Sequence, residues 1–180
     1  MQDLSGKRIL IMATDGFEEL ELTGPRDAFS EAGAEVHIAS PSRNPIQARV
    51  QDEPTIFVTP DLLIEEVDME DYDALILPGG VINPDQLRTN DKAVALIKAF
   101  DEAEKPLAAI CHGPWLLIEA DVVRGRTVTS WPSIRTDMKN AGGEVVDEEA
   151  CTDGHLVTSR NPDDVPAFNA AIADLISAGS

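Results

Sequence analysis

Short apolar runs alternate with helical periodicities along most of the chain. Arg8-Ile-Leu-Ile-Met-Ala13 is nearly continuously apolar, as in a parallel strand buried on both faces. Thr14-Asp15-Gly16 predicts a turn. Phe17 to Ala32 has helical spacing, with Phe17, Leu20, Ala28 and Phe29 apolar, Pro25 as an expected kink and Gly33 as a stop. Glu35–Ala39 predicts a second strand. The stretch 41–60 carries four prolines and predicts a loop with a short edge hairpin. Leu62–Val67 predicts a short helix and Ala74–Leu77 a third buried strand, closed by Pro78-Gly79-Gly80. Asp91–Glu104 is amphipathic, with Val94, Ile97 and Phe100 inward. Pro106–Ile110 predicts a fourth strand and Gly113–Ala120 a helix after a tight turn. Ile134–Ala141 and Pro162–Ser177 predict further helices, with short strands near 144–146 and 156–158 between them.

Strand–helix alternation over 180 residues predicts one α/β domain, a mostly parallel sheet with helices on both faces. In such sheets ligands sit beyond the carboxyl ends of the strands. Three strand ends therefore converge on one expected crevice: Asp15 to Glu21, Pro78-Gly79-Gly80, and Ile110-Cys111-His112-Gly113-Pro114.

Composition narrows the function. Hydrophobic residues make up 43% of the chain, a globular value. No apolar run has the length of a membrane span, and the N-terminus shows no signal-peptide pattern, so a soluble cytoplasmic protein is expected. The formal net charge of −19 disfavours nucleic-acid binding, because such a field repels phosphate backbones. Nine Arg and five Lys leave a lysine-poor acidic surface, which suits a salt-rich cytoplasm and equally a solubility bias. Two cysteines, Cys111 and Cys151, offer no disulfide framework. His37, His112 and His155 lie too far apart for metal-ligand spacing, and no metal or cofactor is expected. Cys151 reads as an ordinary strand residue, and His37 and His155 as surface or strand positions.

The chemistry concentrates at Cys111. An apolar strand running into Cys-His-Gly-Pro and then a helix has the layout of a nucleophile elbow with Cys in place of Ser. Gly113 lets the backbone pass closely, and the N-terminus of the next helix favours thiolate over thiol. Gly79, Gly80 and the His112 amide are candidate oxyanion donors. His112 is either a general base or a residue that supplies only its amide. Glu18 and Glu21, three apart on the expected helix, share a face. A carboxyl group placed on Cys111 would share a proton with it. For Glu21 the residue pattern leaves open whether it does so or is a solvated helix start.

At these residues the sequence resembles the PfpI family of the class I glutamine amidotransferase-like superfamily. The similarity runs through Asp15-Gly-Phe-Glu-Glu-Leu-Glu-Leu22, Leu77-Pro-Gly-Gly80, Ala109-Ile-Cys-His-Gly-Pro114, Thr129-Ser-Trp-Pro132 and Val157-Thr-Ser-Arg160. The resemblance implies a flavodoxin-like fold and an oligomer built from dimers. It implies Cys111 as nucleophile, Glu21 as the buried acid on its sulfur, His112 as base and the glycines after Leu77-Pro78 as oxyanion donors. In the family's proteases a Glu after Pro-Gly-Gly orients that His across an interface. Here the matching step is Pro84-Asp85, with a loop one residue longer and a shorter acid. The implied substrates are small carbonyl compounds or glycated proteins. An intracellular peptidase and a non-enzymatic redox sensor or chaperone working through Cys111 are the alternatives. Glutamine amidotransfer is disfavoured because the downstream His-x-Glu is absent: His155 is followed by Leu156-Val157.

Overall fold

The computed structural model describes residues 1–179. In chain order the elements are β1 (Arg8–Met12), β2 (Phe17–Glu18), α1 (Glu19–Glu31), β3 (Glu35–Ser40), β4 (Ile46–Val50), β5 (Glu53–Val58), β6 (Leu62–Leu63), β7 (Ala74–Leu77), α2 (Ile82–Leu87), α3 (Asp91–Glu102), β8 (Leu107–Ile110), α4 (Pro114–Glu119), β9 (Thr127–Val128), α5 (Arg135–Asn140), β10 (Glu144–Val145), β11 (Cys151–Asp153), β12 (Leu156–Ser159) and α6 (Val165–Ala178). The central sheet has the order β11-β12-β8-β7-β1-β3-β6, with every pairing parallel except β11 against β12. This is the expected α/β architecture, of flavodoxin-like type.

Side chains alternate across the strands, so each strand supplies two cores. Ile9, Ile11, Ile76, Ile110 and Val157 face α1 and α6, where they meet Leu22, Phe29, Phe168 and Ile172. Leu10, Met12, Leu75, Leu77 and Ala109 face α3, α4 and α5, where they meet Ile97, Phe100, Leu116 and Met138. Burial on both faces explains why these strands read as unbroken apolar runs rather than alternating ones.

The order of strands places the chain reversal between β1 and β7. From β1 the chain moves outward to β3 and β6, then crosses back to β7 and β8 on the other side. The loops after β1 and β7 therefore diverge, and a crevice opens between them.

Several expectations are corrected. Phe17 and Glu18 form β2, not the start of a helix, because Phe17 pairs with Ala48 and Glu18 with Arg49 of β4. The hairpin β4–β5 does not extend the main sheet; with β2 it makes a separate sheet over the crevice end of α1. Leu62–Val67 is not a helix but the short edge strand β6 followed by one 3₁₀ turn. The expected loop at 81–83 runs directly into a helix, α2, over residues 82–87. Pro25 leaves α1 one continuous helix, although it can give no N–H to the Glu21 carbonyl four residues earlier. Of the apolar positions that gave the helical spacing, Leu20 is 47% exposed, while Phe29 is fully buried. Cys151 lies in β11 and donates to the Thr127 carbonyl at 3.4 Å, as an ordinary strand residue. Among the described residues no helix is long and apolar enough to cross a membrane, and no cluster of His, Cys, Asp and Glu has metal-site geometry.

The two α1 positions make a direct test. Phe29→Ala should lower unfolding free energy by about 3–5 kcal/mol, whereas Leu20→Ala should stay within about 0.5 kcal/mol of wild type. Urea titrations of the two variants measure this difference.

Candidate active site

β8 ends at Ile110, and the next residue turns sharply. Cys111 has φ +65°, in the left-handed region that L-residues other than Asn and Asp seldom occupy. Such a conformation costs on the order of 1–3 kcal/mol and persists only where the surroundings hold it. Here the backbone is pinned on both sides. The Cys111 N–H donates to the Ser159 carbonyl at 3.1 Å, and the Trp131 N–H donates to the Cys111 carbonyl at 2.9 Å. Gly113 completes the turn: a Cβ there would collide with the carbonyl oxygens of Leu77 and Ile110. Cys111 is left 6% exposed at the floor of the crevice.

Glu21 comes from the first turn of α1 and is fully buried. Its Oε1 accepts the Gly79 N–H at 3.0 Å. Its Oε2 is buried and makes no hydrogen bond of good geometry; the Gly80 N–H and the Cys111 thiol lie beside the carboxyl, and the thiol is the one of the two able to share a proton with it. The carboxyl is held well above the usual carboxylate range, first by burial and then by the charge of Glu18; the Gly79 N–H works against this. The Cys111 thiol is also raised, first by burial and then by the charge on Glu21, while the Gly80 and His112 amides lower it. These two buried groups cannot both be anions at neutral pH, so the pair keeps at least one proton.

Gly79 fills the space between the two. A Cβ on it would sit 2.6 Å from Glu21 Oε1 and 2.7 Å from Cys111 Cβ. Gly80 has φ +75° and passes against the Gly16 carbonyl, where a Cβ would not fit. Both expected glycine donors serve the pair. The Gly79 N–H is taken by Glu21, and the Gly80 N–H lies against both the Glu21 carboxyl and the Cys111 sulfur, with the His112 N–H also on the sulfur. The helix behind the elbow, α4, has six residues, so these two amides matter more than a helix dipole.

His112 Nδ1 lies 3.3 Å from Cys111 Sγ. Its ring is stacked on Trp131 and meets the edge of Trp115. Burial lowers its pKa, which favours the neutral ring. Among the described residues it has no ion-pair partner. Asp85 is exposed on α2 and makes no contact with it within the chain. Glu18 is half-buried and does not share a helical face with Glu21. From β2 its carboxylate accepts the Gln51 N–H at 3.2 Å, and burial raises its pKa. Its charge still reaches Glu21 and Cys111. His37 and His155 are tied into polar contacts away from the crevice, to Tyr72 and to Asp101.

One buried residue escaped the sequence reading. Asn83 of α2 is fully buried and bonds three backbone groups of the loops around the crevice. Its only signal was an amide side chain three residues beyond a Gly-Gly pair.

A doubly wound α/β domain with a strained cysteine at a strand end, a buried acid on its sulfur and two amides aimed at it defines a cysteine-elbow protein of the amidotransferase-like class. The comparisons narrow the class. The DJ-1/PfpI family profile matches residues 7–175, and the chain belongs to this family. It is 48% identical over 166 residues to general stress protein 18 of Bacillus subtilis, covering 91% of this chain and 94% of that protein. It is 44% identical over 173 residues to protein/nucleic acid deglycase 2 of Escherichia coli, covering 96% and 99%. The crystal structure of Drosophila melanogaster DJ-1beta superposes with a TM-score of 0.86 at 26% identity, covering 96% of this chain and 91% of that one.

The shared proton has a measurable consequence. A carboxyl whose pKa is raised on folding stabilises the fold fully below its ordinary value of 4.5 and loses that contribution as pH rises toward the raised value. If the folded pair holds a single proton near neutrality, as the unfolded chain (carboxylate plus thiol) does, wild type shows little slope. Cys111→Ser uncouples the pair. Its stability should fall above pH 4.5 by up to ~1.4 kcal/mol per unit, and adding Glu21→Gln should abolish the slope. Urea midpoints across pH measure all three.

Proposed function

We propose that this protein is a stress-response cysteine hydrolase of deglycase or glyoxalase type, acting on small reactive carbonyl compounds and their adducts with amines or thiols. The observation that carries the reading is the pairing of a nearly buried Cys111 sulfur with a fully buried Glu21 carboxyl. Such a sulfur is within reach of small carbonyls and of adducts on protruding side chains. The deglycase name of a relative covering nearly the whole chain supports the same reading.

In this reading Glu21 holds the shared proton and Cys111 is the anion. Burial opposes the anion, and the Glu21 O–H with the Gly80 and His112 N–H groups offsets it. The thiolate attacks the aldehyde carbon of a 2-oxoaldehyde. A C–S bond forms, and the carbonyl electron pair moves to oxygen, where those two amides meet it. Neutral His112, with Nδ1 beside the sulfur, takes the C1 proton and returns it to C2, leaving a thioester. Water cleaves the thioester to a 2-hydroxy acid and restores the thiolate. For methylglyoxal the sum is methylglyoxal plus water giving lactate. With an amine adduct the amine departs as the leaving group.

A peptidase reading draws on Asp85 to orient His112. Asp85 lies exposed on α2, so that role requires a neighbouring copy. Wild type should convert methylglyoxal to lactate, and Cys111→Ser should lose about 10³-fold or more of the rate. Equal background from both proteins, or cleavage of a casein panel without lactate formation, would overturn the reading.

A further inference from the structure

We propose that Asn83 is a positioning residue for the oxyanion site: its side-chain amide grips the Gly79 carbonyl and thereby presents the Gly80 N–H to Cys111. The inference rests on the nucleophilic role given to Cys111 above and adds a residue that does not touch the sulfur.

The geometry is specific. Asn83 Nδ2 donates to the carbonyls of Pro78 and Gly79, both at 3.0 Å. Its Oδ1 accepts the Thr14 N–H at 2.8 Å. One side chain therefore ties the loop after β7 to the loop after β1, across the point where the strand order reverses. In a planar trans peptide the C=O and N–H point in opposite directions. Holding the Gly79 carbonyl on one side fixes the Gly80 N–H on the other, toward the sulfur and the Glu21 carboxyl beside it.

A lock is needed because glycine stands on both sides of this peptide. Glycine admits positive and negative φ with similar ease, so a peptide between two glycines turns over at little cost. A flipped peptide would aim a carbonyl oxygen at the thiolate and remove a donor from the oxyanion. Only a side chain with two N–H groups on one nitrogen can hold two successive carbonyls this way. Complete burial of Asn83 removes water as a competitor for those bonds.

Two variants separate positioning from simple packing. Asn83→Leu keeps the volume and removes all polar atoms. Asn83→Asp keeps an acceptor for Thr14 and removes the donors but adds an ionisable carboxyl, so the neutral Asn83→Leu carries the comparison of alkylation profiles. Alkylation of Cys111 by iodoacetamide, followed by mass spectrometry on the Cys111 peptide across pH, reports the thiolate without needing a substrate. In both variants the profile should move to higher pH, with about tenfold slower reaction at neutrality. Methylglyoxal turnover should lose on the order of 10–100-fold in kcat with KM little changed. Wild-type alkylation profile and kcat in a cooperatively melting variant would overturn the proposal. A wild type that alkylates readily but yields no lactate would sink the substrate reading while leaving the alkylation arm to decide Asn83. If neither variant folds, the Gly80 amide resonance of wild type decides: it should shift as Cys111 ionises, and an unmoved resonance would overturn the proposal.

Discussion

Everything at the crevice follows from placing a carboxyl and a thiol side by side, out of water, where they cannot both be anions and where no cationic side chain among the described residues pairs with either. Two unit charges a few ångströms apart cost several kcal/mol even at an effective dielectric of about 20. With one proton on the pair, as the proposed mechanism requires, either assignment leaves an anion that must be solvated by the protein itself. The chain does this with backbone N–H groups: Gly79 on the carboxyl, His112 on the sulfur and Gly80 against both. The close approach of three backbone segments explains the glycines. At Gly79 a Cβ would fill the contact between the acid and the cysteine, and at Gly80 it would meet the preceding loop.

The fold supplies this arrangement through its strand order. β1 and β7 are neighbours whose chains leave in opposite directions, so their following loops border one crevice, and β8 delivers Cys111 one strand further on. The left-handed backbone at Cys111 is sustained by bonds to Ser159 and Trp131, residues of the motifs around β12 and after β9. The buried Asp164 bears on this region too, since its carboxylate takes a two-pronged contact from Arg160, the residue following Ser159. The site is thus set by segments far apart in sequence and braced by side chains that never meet a substrate.

The parts legible in the sequence were those with an unambiguous local signal. Strands buried on both faces read as apolar runs at 8–13, 74–77 and 106–110, and Cys-His-Gly-Pro after such a run marked the elbow. The illegible parts depended on pairing or space. Phe17 and Glu18 carry helical spacing, yet the β4 strand captures them, and this takes Glu18 off the face of Glu21. α2 was hidden because Gly79-Gly80 precedes it and Pro84 lies within it, although proline suits a first helical turn. The acid partnership of Glu21 came from family resemblance, because spacing alone cannot say whether a first-turn glutamate turns inward. The roles of the Gly79 and Gly80 amides, and the grip of Asn83, emerge only once the loops are brought together.

The central claim is that Glu21 carries the proton and Cys111 the charge. Infrared difference spectra between wild type and Glu21→Gln at neutral pH test it directly. The account predicts the carbonyl stretch of a protonated carboxylic acid in wild type, absent in the variant, with no cysteine S–H stretch from Cys111. A wild-type difference spectrum showing an ionised carboxylate for Glu21, together with an S–H stretch that disappears in Cys111→Ser, would contradict it.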